Sequence, residues 1–160
     1  MRLIIQRVSK ASVTKTDTNE VVGKIDQGLF VLVGFKKGDT KNSTELLARK
    51  LVRMRIMADP PASAMLKALR AGDTGKMNKT VADVGGKFLI VSQFTLYANT
   101  KDGNRPSFVD AEEPSKAKQL YEYFIDKLRE LGAEVATGSF GDFMSIKTTL
   151  YGPVTIILEV

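Results

Sequence analysis

The 160-residue chain contains no histidine, no cysteine and no tryptophan. The missing histidine excludes Ser-His-Asp and Cys-His nucleophilic machinery and imidazole-ligated zinc. The missing cysteine excludes a disulfide framework, a thiolate nucleophile and iron–sulfur ligation. Chemistry performed by this chain therefore draws on carboxylates, amines, hydroxyls, amides, main-chain groups or the substrate itself, and no cofactor or metal is expected. Long apolar runs are missing too. The opening Met1-Arg2-Leu3-Ile4-Ile5-Gln6-Arg7 is far too short for a signal peptide, and no stretch approaches the roughly 20 residues that span a bilayer. The expectation is a cytoplasmic protein with no membrane partner, in which the Asn42 and Asn78 sequons are coincidental. No repeat, linker or composition break divides the chain, so residues 1–160 read as a single domain.

What is present is a localised positive charge. Between Lys41 and Thr80 stand Lys41, Arg49, Lys50, Arg53, Arg55, Lys67, Arg70, Lys76 and Lys79, opposed only by Glu45, Asp59 and Asp73; this block accounts for the whole formal net charge of +6. Such a local excess suits a polyanion, because phosphate binding needs several cations on one face. It also describes an ordinary solvated basic surface. The block holds no Phe, Tyr or Trp, which argues against stacking of single-stranded bases.

Periodicity predicts an α+β domain: compact, largely antiparallel and barrel-like, with two main helices. Leu3–Ile5, Ala11–Thr14, Val21–Ile25 and Leu29–Val33 read as short strands of an antiparallel meander, with turns at Asp17–Asn19 and Asp26–Gly28. Leu47, Leu51 and Met54 recur at helical spacing, with Asn42 or Ser43 placed to cap that helix and Asp59-Pro60-Pro61 to stop it. Met65–Arg70 reads as a short helical piece within an excursion that follows. Phe88–Val91 is the continuous apolar run of a strand buried on both faces. Ala117, Leu120, Tyr121, Phe124, Ile125, Leu128 and Leu131 form one stripe of a second helix, with Pro114 near its first turn and Gly132 past its end. Val135, Met144–Ile146 and Val154–Leu158 return to strand character.

Several motifs fail on inspection. Gly72-Asp73-Thr74-Gly75-Lys76-Met77 lacks the Ser/Thr after its lysine and the upstream glycine of a phosphate-binding loop, and reads as a surface turn. Ser12-Val13-Thr14-Lys15 has serine-acylase spacing but lies in a strand, where alternation points Ser and Lys apart. Asp110, Glu112 and Glu113 place negative charge near a helix N-terminus, with no ligands beside them to make a metal site. Two segments remain. Ser92-Gln93-Phe94-Thr95-Leu96-Tyr97 leaves the end of a buried strand, either as a polar loop or as a rigidly supported site. Gly152-Pro153 lies between two strand-like runs, where an ordinary bend is the default.

Taken together, these pieces resemble the D-aminoacyl-tRNA deacylases, also called D-tyrosyl-tRNA deacylases. The resemblance rests on Val91-Ser92-Gln93-Phe94-Thr95-Leu96-Tyr97-Ala98, Asn104-Arg105-Pro106-Ser107-Phe108 and Gly152-Pro153-Val154-Thr155. Met1–Val8, Gly34–Thr40 and Gly75–Asn78 add to it, in family order across nearly the whole chain. It implies a homodimer of barrel-like subunits that hydrolyses the ester between a D-amino acid and the tRNA 3′ end, with some activity on glycyl-tRNA. By match, a cis Gly152-Pro153 would enter the partner's site and exclude L side chains. Ser92, Gln93 and Thr95 would form the catalytic pocket, and Phe94 would bind substrate with Gly152 and Pro153. Thr95 has no base to activate it as a nucleophile, so it is assigned to positioning. The implied partners are tRNA, through its aminoacylated 3′ end, and a second copy of the chain, with neither DNA nor membrane. A non-catalytic RNA-binding barrel is the competing reading of the charge. Two departures from the family are visible: a longer Pro60–Asp73 stretch, read as an inert insertion, and Leu150-Tyr151 where Asn-Asp commonly precedes Gly-Pro.

Overall fold

The fold is organised by its first strand. The computed structural model describes residues 1–58, 77–101 and 103–160. Within it β1 (Arg2–Lys15) runs unbroken through both stretches expected as separate strands. Its partners are β2 (Val21–Ile25), β3 (Gly28–Gly34) and β8 (Met144–Glu159). β8 lines one edge of β1 over its whole length, from Arg2 opposite Glu159 to Lys15 opposite Met144. The other edge takes β3 along Arg2–Val8 and then β2 along Ala11–Thr14. The expected meander is thus replaced by a central β1 flanked by β2 and β3. Local alternation reveals strands but not their neighbours, and β1 is long enough to serve both.

Beyond β3 the sheet turns parallel. β6 (Lys87–Ser92) pairs with β3 from Gly28 opposite Lys87 to Val33 opposite Ser92, and β7 (Val135–Thr137) pairs with β6. At Gly23, β2 approaches β7 so closely that a Cβ would collide with the Thr137 carbonyl, and the sheet is nearly closed into a barrel. β4 (Met57–Ala58) and β5 (Met77–Lys79) form a separate small hairpin.

Parallel neighbours require long crossovers, and these carry the two helices. α1 (Lys41–Val52) begins two to three residues earlier than the caps expected from sequence: Thr40 Oγ1 accepts from the Ser43 N–H while Ser43 Oγ accepts from the Thr40 N–H. It also ends before Met54 and well before Pro60, because the chain extends to bury Ile56 and Met57 in the core. α2 (Pro114–Glu130) has Pro114 in its first turn and buries Leu120, Tyr121, Phe124, Ile125 and Leu128, as its stripe predicts. Both helices cover one face of the sheet, against Leu3, Ile5, Val31, Val33, Phe88 and Ile90. The opposite face forms the barrel interior from Val8, Ala11, Val13, Ile25, Phe30, Leu89 and Val91. Strict alternation would send Ala11 and Val13 to the helix side with Leu3 and Ile5. A register shift between Val8 and Lys10 reverses the alternation and lets β1 feed both cores. The Met65–Arg70 piece, the Pro60–Asp73 stretch and the Gly72–Met77 turn as far as Lys76 lie outside the described residues.

Candidate active site

The expected site residues occupy two separate places along β1. The first is at its N-terminal end. β6, buried from Phe88 to Val91, finishes at Ser92, and the Gln93 N–H donates to the Val33 carbonyl at 2.7 Å. A single 3₁₀ turn, Phe94–Tyr97, follows. Here the Gln93 side-chain amide donates to Thr95 Oγ1 at 2.5 Å. An amide is no base, and a hydroxyl that accepts from one is made less nucleophilic; the Thr95 proton remains available for donation. Alternation from Ile90 directs Ser92 toward the helix side of the sheet, one residue before the chain turns.

Phe94 is 58 % exposed and meets Phe108, itself 38 % exposed, edge to face with ring centroids 5.1 Å apart. Phe108 is carried back by a loop closed with two reciprocal main-chain bonds, Asn99 N–H to Ser107 O at 2.7 Å and Ser107 N–H to Asn99 O at 2.9 Å. Two exposed aromatic rings held this way offer a ready apolar platform. Arg2 supports the turn from behind. Its Nη1 donates to the Leu96 carbonyl at 2.5 Å, its guanidinium lies over the Tyr97 ring, and its other nitrogens fork onto Glu159. That hydrogen-bonded arginine holds the Glu159 carboxyl below its ordinary range. Burial pushes the Tyr97 phenol upward, and its hydroxyl is the one buried side-chain polar atom without a hydrogen-bond partner among the described residues.

The second place lies five residues further along β1, roughly 17 Å at about 3.3 Å per residue. Gln6 faces Thr155 and Val8 faces Leu150, so Tyr151-Gly152-Pro153-Val154 bulges out opposite Arg7 alone. The Gly152-Pro153 peptide is cis. Gly-Pro therefore interrupts the pairing of one continuous strand rather than joining two, and proline loses nothing by lacking an N–H where no ladder bond forms. Arg7, only 7 % exposed, sits beneath the bulge. Its Nε donates to the Tyr151 carbonyl at 2.8 Å, its Nη1 donates to the Ile56 carbonyl at 3.0 Å, and its guanidinium stacks on the Tyr151 ring. Gly152 has φ +135°, and a Cβ there would lie 3.0 Å from Arg7 Nη2. Arg7 is the residue of this place that residue-by-residue reading passed over. An arginine amid apolar strand residues was the only signal, and its significance depends on which carbonyls it reaches.

The structure thus brings Gln93, Phe94 and Thr95 together, and Gly152 with Pro153, but it does not bring the two groups together within one chain. Glu112 of the acidic patch forms an ion pair with Lys116 at 2.6 Å. No cluster of His, Cys, Asp or Glu among the described residues could hold a metal, and no described helix is long and apolar enough to cross a membrane.

Comparison with known proteins matches residues 4–159 to the family model described as D-Tyr-tRNA(Tyr) deacylase. The chain is 46 % identical to the D-aminoacyl-tRNA deacylase of Aquifex aeolicus, covering 99 % of this chain and 97 % of that one. It is 45 % identical to that of Lactobacillus gasseri, over 100 % of both. Among solved structures, the c-Myc DNA Unwinding Element Binding Protein superposes with a TM-score of 0.84 at 32 % identity, covering 100 % and 99 % of the two chains. A probable eukaryotic D-amino acid tRNA deacylase superposes with a TM-score of 0.78 at 15 % identity, covering 99 % and 98 %, a likeness of fold.

Proposed function

The chain belongs to the D-Tyr-tRNA(Tyr) deacylase family, and from that membership we propose how its two β1-linked places divide the work of a D-aminoacyl-tRNA deacylase. As a hydrolase it releases the free D-amino acid and tRNA. Water adds to the ester carbonyl, the carbonyl oxygen gathers negative charge, and the bond to the ribose oxygen of the terminal adenosine breaks. The observation that carries this reading is the Gln93–Thr95 hydrogen bond beside the exposed Phe94–Phe108 pair. Together they supply an amide, a hydroxyl and an aromatic surface with no protein base among them. An aminoacyl ester is already activated, so the Phe94 and Thr95 main-chain N–H groups, facing the developing oxyanion, account for much of the acceleration. Thr95 and Gln93 position the water and the ester, Phe94 with Phe108 receives the terminal adenosine, and Ser92 lines the strand end. The substrate's own 2′-hydroxyl serves where histidine would otherwise act.

Gly152 and Pro153 form the chirality filter, reaching the pocket of a second copy. Their position beside Arg7, five residues along β1 from the Arg2 that props the turn, supports this, as does the exposed β8 stretch Ser145–Pro153, with Ile146, Leu150 and Tyr151 uncovered. A filter made of main chain reads the configuration at Cα and leaves the D side chain unread, so glycyl-tRNA also passes. The protein acts in the cytoplasm, where charged tRNA is made. Matched D- and L-tyrosyl-tRNA test the reading: D substrate is cleaved, L substrate survives, and Pro153→Ala raises L turnover toward the D rate. Equal turnover of the two esters by the unaltered protein, or none, overturns it. The non-catalytic RNA-binding barrel would bind tRNA and leave both esters intact.

A further inference from the structure

The basic block has a place in the fold that its sequence does not disclose. α1 spans about 18 Å at 1.5 Å per residue, and its two ends meet the two places on β1. Its N-terminal approach, through Asp39, receives the Met1 amine at 2.5 Å beside the Arg2 end. Its C-terminal end leads through Arg53 and Arg55 to Ile56, whose carbonyl Arg7 holds together with that of Tyr151. One buried guanidinium therefore ties the end of α1 and the β4–β5 hairpin to the Gly-Pro bulge. On this unit stand Lys50, Arg53, Arg55 and Lys79, the first three exposed and the last half-buried. Arg55 Nε donates to the Asn78 carbonyl at 2.6 Å, which fixes its guanidinium at the hairpin. Lys50, Arg53 and Lys79 have no ion-pair partner among the described residues, and the neighbouring Asp83 carboxylate accepts from the Thr80 N–H at 2.8 Å.

We propose that Lys50, Arg53, Arg55 and Lys79 form a surface for RNA phosphates that serves the pocket of the partner subunit, into which the same chain sends Gly152-Pro153, rather than the pocket of its own chain. The inference rests on the dimeric deacylase reading above and adds who holds the tRNA. Whichever pocket receives the Gly-Pro bulge receives the basic surface rigidly attached to it, while the chain's own Gln93–Thr95 turn lies at the far end of α1. Each subunit thus hydrolyses the ester whose tRNA its partner both grips and checks. The requirement for a D configuration and the requirement for an RNA body then arrive on one rigid unit.

Mixed dimers of differently tagged chains decide it. A first carries Gln93→Ala/Thr95→Val together with Lys50→Gln/Arg53→Gln/Lys79→Gln in one chain and no substitution in the other. The single live pocket then faces a neutralised partner, and its KM for D-tyrosyl-tRNA is expected to rise about tenfold, with kcat per live pocket as the internal reference. A second dimer carries Gln93→Ala/Thr95→Val in one chain and Lys50→Gln/Arg53→Gln/Lys79→Gln in the other. Its live pocket has lost its own cluster but faces an intact one, and its KM is expected to match the unaltered dimer. The opposite pattern, an equal rise in both dimers, or a monomeric active protein overturns the proposal. Lys50→Arg/Arg53→Lys/Lys79→Arg should behave as the unaltered protein if charge rather than local packing is at issue. Binding of unacylated tRNA reads the surface without hydrolysis. In the homodimer of the neutralised chain, the slope of log affinity against log salt should fall by roughly two to three, and an unchanged slope overturns the surface. Salt-dependent binding without ester cleavage would instead defeat the deacylase reading, and the partner assignment with it.

Discussion

Arg2 and Arg7 stand on one strand, in one sheet, and do opposite things. Arg2 is at an exposed end, paired with a carboxylate and stacked on Tyr97, and its one main-chain bond props the turn that carries Gln93 and Thr95. Arg7 is buried, and its hydrogen bonds among the described residues go to main-chain carbonyls, Tyr151 and Ile56. The first is a surface ion pair in water, worth little on its own. The second is a largely desolvated cation satisfied by carbonyl dipoles, where removal strands the buried Ile56 carbonyl and frees the half-buried one of Tyr151. The Phe94–Tyr97 turn is thus lightly held on a rigid strand end, whereas the Gly-Pro bulge is clamped from below. The filter proposed for Gly152-Pro153 works by steric exclusion and would draw on the stiffer support of the two.

The same substitution at both arginines gives the sharpest test. Arg7→Met should cost about 2–3 kcal/mol in urea unfolding, from one buried and one part-buried charge-assisted hydrogen bond. L-tyrosyl-tRNA turnover should rise in the surviving folded fraction. Arg2→Met should cost less than about 1 kcal/mol and leave chirality intact. Equal costs would erase the distinction between clamp and prop. At the pocket end, Phe108→Ala removes the edge-to-face partner of Phe94. A pair of this kind is worth roughly 0.5–1.5 kcal/mol, so KM should rise about three- to tenfold while the D/L ratio stays fixed. A change in the ratio would mean that the platform also reads configuration.

The smallest effect concerns pH. Arg2 lowers the Glu159 carboxyl in the folded state, so the stability it contributes is present above the ordinary carboxylate pKa and is lost as pH falls through the lowered folded value. Because the pair is exposed, the expected extra loss of Tm below about pH 4 is only about 1–2 °C. Glu159→Gln should abolish that component, and identical acid profiles would show that the pair contributes nothing.

Much of this was legible in the residues. The stripe from Ala117 to Leu128, the buried run Phe88–Val91 and the emergence of polar groups after Val91 are local patterns, and local patterns survive into the fold. β1 and β8 were less legible, each appearing as two pieces. Lys10 and Gly152-Pro153 look like interruptions in a one-dimensional reading, whereas cross-strand pairing carries both strands through them. The cap at Thr40 was missed for a smaller reason: Thr40, Asn42 and Ser43 are all competent caps, and only the backbone angles choose among them.

The absence of histidine and cysteine, the confined positive charge and the order of the signature segments belong to the sequence alone, and the two absences limit the chemistry to carboxylates, amines, amides, hydroxyls, main chain and substrate. Tertiary structure alone decided that Gln93–Thr95 stands beside the N-terminal end of β1 and Gly152–Pro153 opposite its middle, and that one buried arginine joins the second of these to the basic end of α1. The reason is geometric. Composition and local period constrain each residue's immediate surroundings, but strand register sets distances between residues more than a hundred positions apart, and register is selected only when both faces of the sheet find their cores.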